Sequence, residues 1–164
     1  MDTKQEAVRS LREIISYHLT MLVRYGNCFS LAMFAAEPAG HNGQPANVSF
    51  GNNGLLRQFA LLVAETVREI DFIASDQDNN LVVVMPQTDL AGACAAAERV
   101  KLEAQKRMAL RVRAGVAMAL DGDTNTSLLE RAASALQQAS TSSGQCVWYH
   151  NGISTEPAPE CVEV

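Results

Sequence analysis

Two runs of short polar side chains carry the types and spacing of cation chemistry. Asp76-Gln77-Asp78-Asn79-Asn80 and Asp121-Gly122-Asp123-Thr124-Asn125 each fill the first three ligand positions of a calcium loop. Neither continues as one. A calcium loop needs Gly at its sixth position and Glu at its twelfth, where the first run has Leu81 and Gln87 and the second has Thr126 and Ala132. Both therefore read as solvated turns, in which Asp and Asn bond their own backbone. His18, His41 and His150 fall on different elements with no carboxylate or cysteine at metal spacing, so they read as surface or loop histidines and suggest no catalytic triad. The four cysteines, Cys28, Cys94, Cys146 and Cys161, lie dozens of residues apart without a CxxC pair and read as small buried thiols in a reducing compartment. Gly51-Asn52-Asn53-Gly54 precedes a helix, whose N-terminus can seat an anion, although Asn-Gly is first of all turn chemistry. No metal site and no catalytic group is expected from these residues.

The elements that must position any site follow from hydrophobic period. Val8, Leu11, Ile15, Leu19 and Leu22 recur at three- and four-residue steps, which predicts an amphipathic helix stopping near Gly26. The continuous apolar run from Phe29 to Ala36 predicts a buried first strand ending at Pro38. A loop rich in Gly, Asn and Pro fills the interval from Pro38 to Gly54. A second helix starts near Asn53, shows one face of Leu55, Leu56, Phe59, Leu62, Val63, Thr66, Val67 and Ile70, and ends around Arg68 to Ile70. Asp71 to Ala74, the turn Ser75 to Asn80, and Leu81 to Met85 before Pro86 predict a β-hairpin. Thr88 or Asp89 caps an alanine-rich helix to about Met108, and a strand runs from Val112 to Ala119. Ser127-Leu128-Leu129-Glu130 has the capping-box pattern of a fourth helix, and Cys146 to Tyr149 is a short last strand. The tail, residues 151–164, contains Pro157 and Pro159, has no periodic apolar face, and is expected to be frayed.

With 164 residues, 48% apolar and 19% charged, the chain fits one domain with a sufficient core. Its net charge of −5 is a poor footprint for a phosphate-backbone binder, so no nucleic acid polymer is expected as a partner. No run approaches the roughly 18 apolar residues of a membrane helix, and no signal peptide opens the chain. The expected location is cytoplasmic, without direct membrane insertion. Hairpins mixed with helices imply an α+β fold, ferredoxin-like or palm-type, with a mainly antiparallel sheet flanked by helices.

That order resembles the GGDEF (diguanylate cyclase) domain family over roughly residues 10 to 150. The resemblance is carried by Asp71-Phe72-Ile73-Ala74 before the hairpin turn, Leu81 to Pro86 after it, and Ala97-Glu98-Arg99 in the next helix. Val112-Arg113-Ala114-Gly115-Val116-Ala117 and the helix from Leu128 to Leu136 add to it. It implies a GGDEF-like domain over residues 1–150 followed by the tail. In an active member the hairpin turn carries Gly-Gly-Asp/Glu-Glu-Phe, and those positions here are Gln77-Asp78-Asn79-Asn80-Leu81. The amides of Asn79 and Asn80 are poor partners for Mg²⁺, which is normally held by carboxylates, phosphates and water. The family's other metal carboxylate falls at Ala35, with Glu37 two residues on. Its guanine-reading Asn and Asp fall at Gly43 or Gln44 and at Asn53, and its phosphate-gripping Lys and Arg at Ser140 and Gly144. The resemblance thus implies a degenerate diguanylate cyclase domain, without the apparatus of two-metal phosphoryl transfer.

One family ligand site is retained in sequence. An Arg-x-x-Asp motif five residues before the signature turn binds the product cyclic di-GMP in the family, and here it stands as Arg68-Glu69-Ile70-Asp71, with a third contact at Arg99 on the following helix. An Arg fork donates to O6 and N7 of guanine or grips phosphate, and a carboxylate accepts from guanine N1 and N2. Without a ligand, Arg68 and Asp71 would form a surface ion pair worth roughly a few tenths of a kcal/mol. The expectation is a catalytically inactive cyclic di-GMP receptor acting in biofilm, exopolysaccharide or motility signalling. It would take no cofactor beyond that regulatory ligand, and a neighbouring signalling domain or second protomer would be its partner. The alternatives are a nucleotide-free interaction or dimerisation module, and a working cyclase with relocated ligands such as Glu37, Asp76 and Asp78.

Overall fold

In the computed structural model, which describes residues 3–39 and 53–159, the apolar run beginning at Phe29 forms the central strand of a six-stranded sheet. In chain order the elements are α1 (Thr3–Tyr25), β1 (Phe29–Pro38), α2 (Asn53–Thr66), β2 (Phe72–Ser75), β3 (Leu81–Pro86), α3 (Leu90–Met108), β4 (Leu110–Met118), α4 (Asn125–Thr141), β5 (Val147–His150) and β6 (Thr155–Pro157). The sheet order is β2-β3-β1-β4-β5-β6, antiparallel throughout except for the parallel β4–β5 pair. This is the expected α+β architecture. The expected loop between Pro38 and Gly54, with Gly43, Gln44 and His41, falls almost wholly outside the described residues, as does Cys161.

The reason β1 reads as an unbroken apolar run is that both of its faces are covered. Ala32 and Phe34 point into one core with Phe59, Leu62 and Val63 of α2 and Ala93, Ala97 and Val100 of α3. Phe29, Leu31 and Met33 point into the other with Leu11 and Ile15 of α1 and Leu128, Ala132 and Leu136 of α4. Strand β3 splits in the same way, Val83 and Met85 to one side and Val82 and Val84 to the other. Alternation of side chains across a strand, with helices on both faces, removes the polar positions that a half-exposed strand would show. Gly115 of β4 lets α4 lie directly on the sheet: a Cβ there would sit 2.2 Å from the Ala132 carbonyl oxygen and 2.3 Å from the Leu136 nitrogen.

Four expectations need correction. The second helix stops at Thr66, and Ile70, expected on its apolar face, is 52% exposed in the following turn. The cap of α4 lies one turn before the expected Ser127-to-Glu130 box: Thr124 is the N-cap, its hydroxyl accepting from the Ser127 N–H at 3.1 Å while Ser127 Oγ accepts from the Thr124 N–H at 2.9 Å. Here the Ser127 hydroxyl closes the reciprocal pair in place of the usual Glu or Gln, so Glu130 is not needed. The tail is not frayed over its described part. Residues 155–157 pair with β5 as β6, the Ala158 N–H donates to the Val147 carbonyl at 2.9 Å, and Ala158 is buried in the α2–α3 core. The thiols also differ from expectation, since Cys94 is buried but Cys28 and Cys146 are half-buried.

Candidate functional site

The turn that ends α2 is built by its own ends. Asp71 donates its N–H to the Arg68 carbonyl at 3.0 Å, and its carboxylate accepts from the Arg68 N–H at 2.8 Å and from Arg68 Nη2 at 3.0 Å. The Asp71 side chain is 3% exposed and that of Arg68 51%, so the pair is half-buried rather than the free surface ion pair of the bare sequence pattern. Arg68 reaches further, across to the β3–α3 connection, where Nη2, sharing its two protons among three acceptors, also lies 2.8 Å from the Pro86 carbonyl and 2.6 Å from Thr88 Oγ1. Asp89 then caps α3, accepting from the Gly92 N–H at 2.8 Å. About two turns of helix beyond Gly92, Arg99 stands on the exposed side of α3.

Arg68, Asp71 and Arg99 line one cleft of about 420 Å³ together with Thr88, Asp89 and Cys28. The structure therefore brings the three expected residues together. It also shows that Asp71 is committed to holding Arg68, which leaves the guanidinium and Arg99 as the groups most open to an anion or a guanine edge. Thr88 and the Pro86 carbonyl are contributors that the sequence reading missed; Thr88 stood there only as a possible cap, and its link to Arg68 spans 20 positions of chain.

The hairpin turn at the family's signature position is closed by Asp76. Its Oδ1 accepts from the Asp78 and Asn80 N–H groups, each at 2.9 Å, and its Oδ2 from the Asn80 side-chain amide at 3.1 Å. Asn79 takes a left-handed φ of 62°, which Asn tolerates better than most residues. The turn faces a pocket of about 250 Å³ lined by Ala35, Ala36, Phe59, Asp78, Asn79 and Asn80. Glu37 does not line it and instead faces Arg113 at 3.8 Å. A divalent cation would thus meet one carboxylate, Asp78, beside amides and methyl groups, because both oxygens of Asp76 serve the turn. These residues do not fit a Mg²⁺ pair, which needs several anionic oxygens.

The second Asp run is likewise structural. Asp123 accepts from the Leu120 N–H at 2.8 Å and from Ser127 Oγ at 2.7 Å, and it pairs with Arg131, which also donates to the Met118 carbonyl. His150 lies beside this pair, and its Nδ1 accepts from the Gly152 N–H at 3.0 Å. Burial, then the Arg131 charge, hold its pKa below the ordinary histidine value, with Asp123 acting in the opposite direction. His18 is packed among Tyr17, Phe29 and Phe72, and burial lowers its pKa as well. Ser140 bonds back to the Leu136 carbonyl at 3.0 Å within α4. Among the described residues no helix is long and apolar enough to cross a membrane.

No family model matches the sequence. Among curated proteins the chain is similar to the response regulator PleD of Caulobacter vibrioides, with 36% identity over 115 residues covering 62% of this chain and 25% of the relative. The chain thus spans about a quarter of the curated relatives it matches. Among solved structures it is similar to the diguanylate cyclase SiaD of Pseudomonas aeruginosa in complex with its activator SiaC, at a TM-score of 0.72 and 22% identity over 85% of this chain and 56% of that one. It is also similar to the coiled coil and GGDEF domain of DgcB from Caulobacter crescentus in complex with cyclic di-GMP, at a TM-score of 0.68 and 18% identity over 84% of this chain and 80% of that one.

Proposed function

We propose that this chain, which has the fold of GGDEF domains, is a catalytically inactive domain of that kind and a receptor for cyclic di-GMP, bound through Arg68, Asp71 and Arg99. The observation that carries this reading is the convergence of those three residues, from a turn and a separate helix, on one cleft. The Arg99 guanidinium and the Nη1 end of Arg68, whose other edge is bonded to protein, offer donors to the guanine edge or the phosphates of the ligand, and Asp71 keeps Arg68 in place. The solved DgcB domain, similar in fold, is a complex with the same molecule. Loss of catalysis is supported by the methyl group of Ala35 and the amides of Asn79 and Asn80, which line the pocket beneath the hairpin turn in place of acids. A role in biofilm, exopolysaccharide or motility signalling, in the cytoplasm and beside a neighbouring signalling domain or second protomer, belongs to the same proposal.

Isothermal titration with cyclic di-GMP tests it, with Arg68→Ala as the paired control. The expected result is saturable binding, micromolar or tighter, that disappears in the variant while its unfolding free energy changes by only about 1 kcal/mol. No binding by the wild type refutes the receptor reading. A second reading, a nucleotide-free interaction module, is favoured by one feature: Tyr17, 60% exposed on α1, and Phe72, 42% exposed on the edge strand β2, form an aromatic patch with His18 between them.

A further inference from the structure

We infer that Thr88 is a positioning residue for the ligand site, a fixed post that orients the Arg68 guanidinium before ligand arrives. The functional consequence of this inference rests on the receptor reading above. Every side-chain bond of Arg68 is made through Nε and Nη2, to Asp71, Pro86 and Thr88, so that edge is engaged by the protein, while the side chain stays 51% exposed and lines the cleft. The shortest of these bonds is the one to Thr88 Oγ1, at 2.6 Å, and the same hydroxyl donates its proton to the Pro86 carbonyl at 3.0 Å. One hydroxyl thus acts as acceptor and donor at once, closing a ring of Arg68, Thr88 and the Pro86 carbonyl.

A post must itself be held, and the connection carrying Thr88 is fixed at three successive residues. Gln87 adopts a left-handed φ of 52°, uncommon for a residue with a Cβ, and its N–H donates to the Cys28 carbonyl at 2.8 Å. The Thr88 carbonyl accepts at 2.8 Å from Ser30 Oγ, whose residue is fully buried on β1. Asp89 is locked as the N-cap of α3. A long side chain that is otherwise free must be ordered when ligand binds, and ordering it beforehand is worth about three- to tenfold in affinity.

The test uses Thr88→Val, which keeps the shape and removes the hydroxyl, and Thr88→Ser, which restores it. Ser30→Ala is a second variant that loosens the post from behind. In the protein without ligand, the ¹⁵N order parameter of Arg68 Nε–H is expected to fall measurably below the wild-type value in Thr88→Val and Ser30→Ala, with Asp71 and Pro86 still in place, and to return to it in Thr88→Ser. Titration with cyclic di-GMP is expected to show about three- to tenfold weaker binding in Thr88→Val and wild-type affinity in Thr88→Ser. Unchanged order and affinity in Thr88→Val overturn the inference. Tighter binding in Thr88→Val also overturns it, because the bond would then be a latch that ligand must break. Absence of binding in the wild type strikes the receptor reading alone, and the order parameters still decide the role of Thr88.

Discussion

Replacing Gly115 by alanine is expected to be among the most damaging one-carbon changes available in this domain. The new Cβ would stand 2.2 Å from a backbone oxygen and 2.3 Å from a backbone nitrogen of α4, and 2.8 Å from the Leu136 Cα. Ordinary contact lies near 3.5 Å, so α4 must retreat by about 1 Å, and a gap of that size forfeits roughly a quarter to a half of the dispersion attraction across it. The attraction at stake is that of Leu128, Ala132, Ala135, Leu136 and Ala139, the buried stripe of α4. No flexible side-chain end can yield instead, since all three obstructing atoms are backbone. The cost therefore falls at the top of the usual overpacking range, about 3 kcal/mol, a large share of a typical domain's total stability. Urea unfolding would register it as a midpoint lowered by about 1–3 M with an unchanged slope. Gly54→Ala is the matched control: nothing lies within 4 Å of a Cβ there, and alanine in the first turn of α2 should raise stability by about 0.5 kcal/mol. If Gly115→Ala costs less than about 0.5 kcal/mol, or if the two substitutions shift the midpoint in the same direction, the account of how α4 sits on the sheet is wrong.

Two further outcomes are expected. Burial, then the Arg131 charge, depress the pKa of His150, whose Nδ1 accepts the Gly152 N–H, so its contribution to stability is present above the ordinary value of 6.5 and is lost as pH falls from there through the lowered folded value. The urea midpoint should drop less between about pH 7.5 and about pH 5.5 in His150→Asn, whose Oδ1 can accept the same bond without a proton, than in the wild type; equal drops would contradict this. Incubation of the wild type with GTP and Mg²⁺ at high protein concentration should yield no cyclic di-GMP by chromatography, and turnover stopped by Asp78→Asn would instead make that carboxylate catalytic.

Much of the architecture was legible because it rests on local pattern. The run from Phe29, the turn residues Asp76 to Asn80 and the Asp89 cap each announce their element within a few positions, and the structure keeps all three. The grouping of Arg68, Asp71 and Arg99 was legible only through family resemblance, since no periodicity connects a turn to the exposed side of α3. The closure of Arg68 onto Pro86 and Thr88 was not legible, because it depends on how the α2–β2 turn meets the far end of a hairpin. β6 escaped notice for a related reason. Three residues with an exposed Glu156 and Pro157 show no apolar rhythm, and what fixes them is Ala158 entering a core formed by distant elements. The end of α2 was overrun because Val67 continues its apolar spacing, whereas Asp71 claims the Arg68 N–H and turns the chain away.

The order of strands in the sheet also has a consequence for how the chain is made. β1 emerges before either of its neighbours, yet Phe29 pairs with Pro86 and Ser30 with Met118, so both edges of the most apolar strand wait for distant chain. At a synthesis rate of about 5–20 residues per second, the wait for Met118 lasts several seconds. During that time Phe29 to Phe34 is an unpaired hydrophobic template with no native alternative, which makes this strand the segment where a nascent-chain chaperone has most to protect.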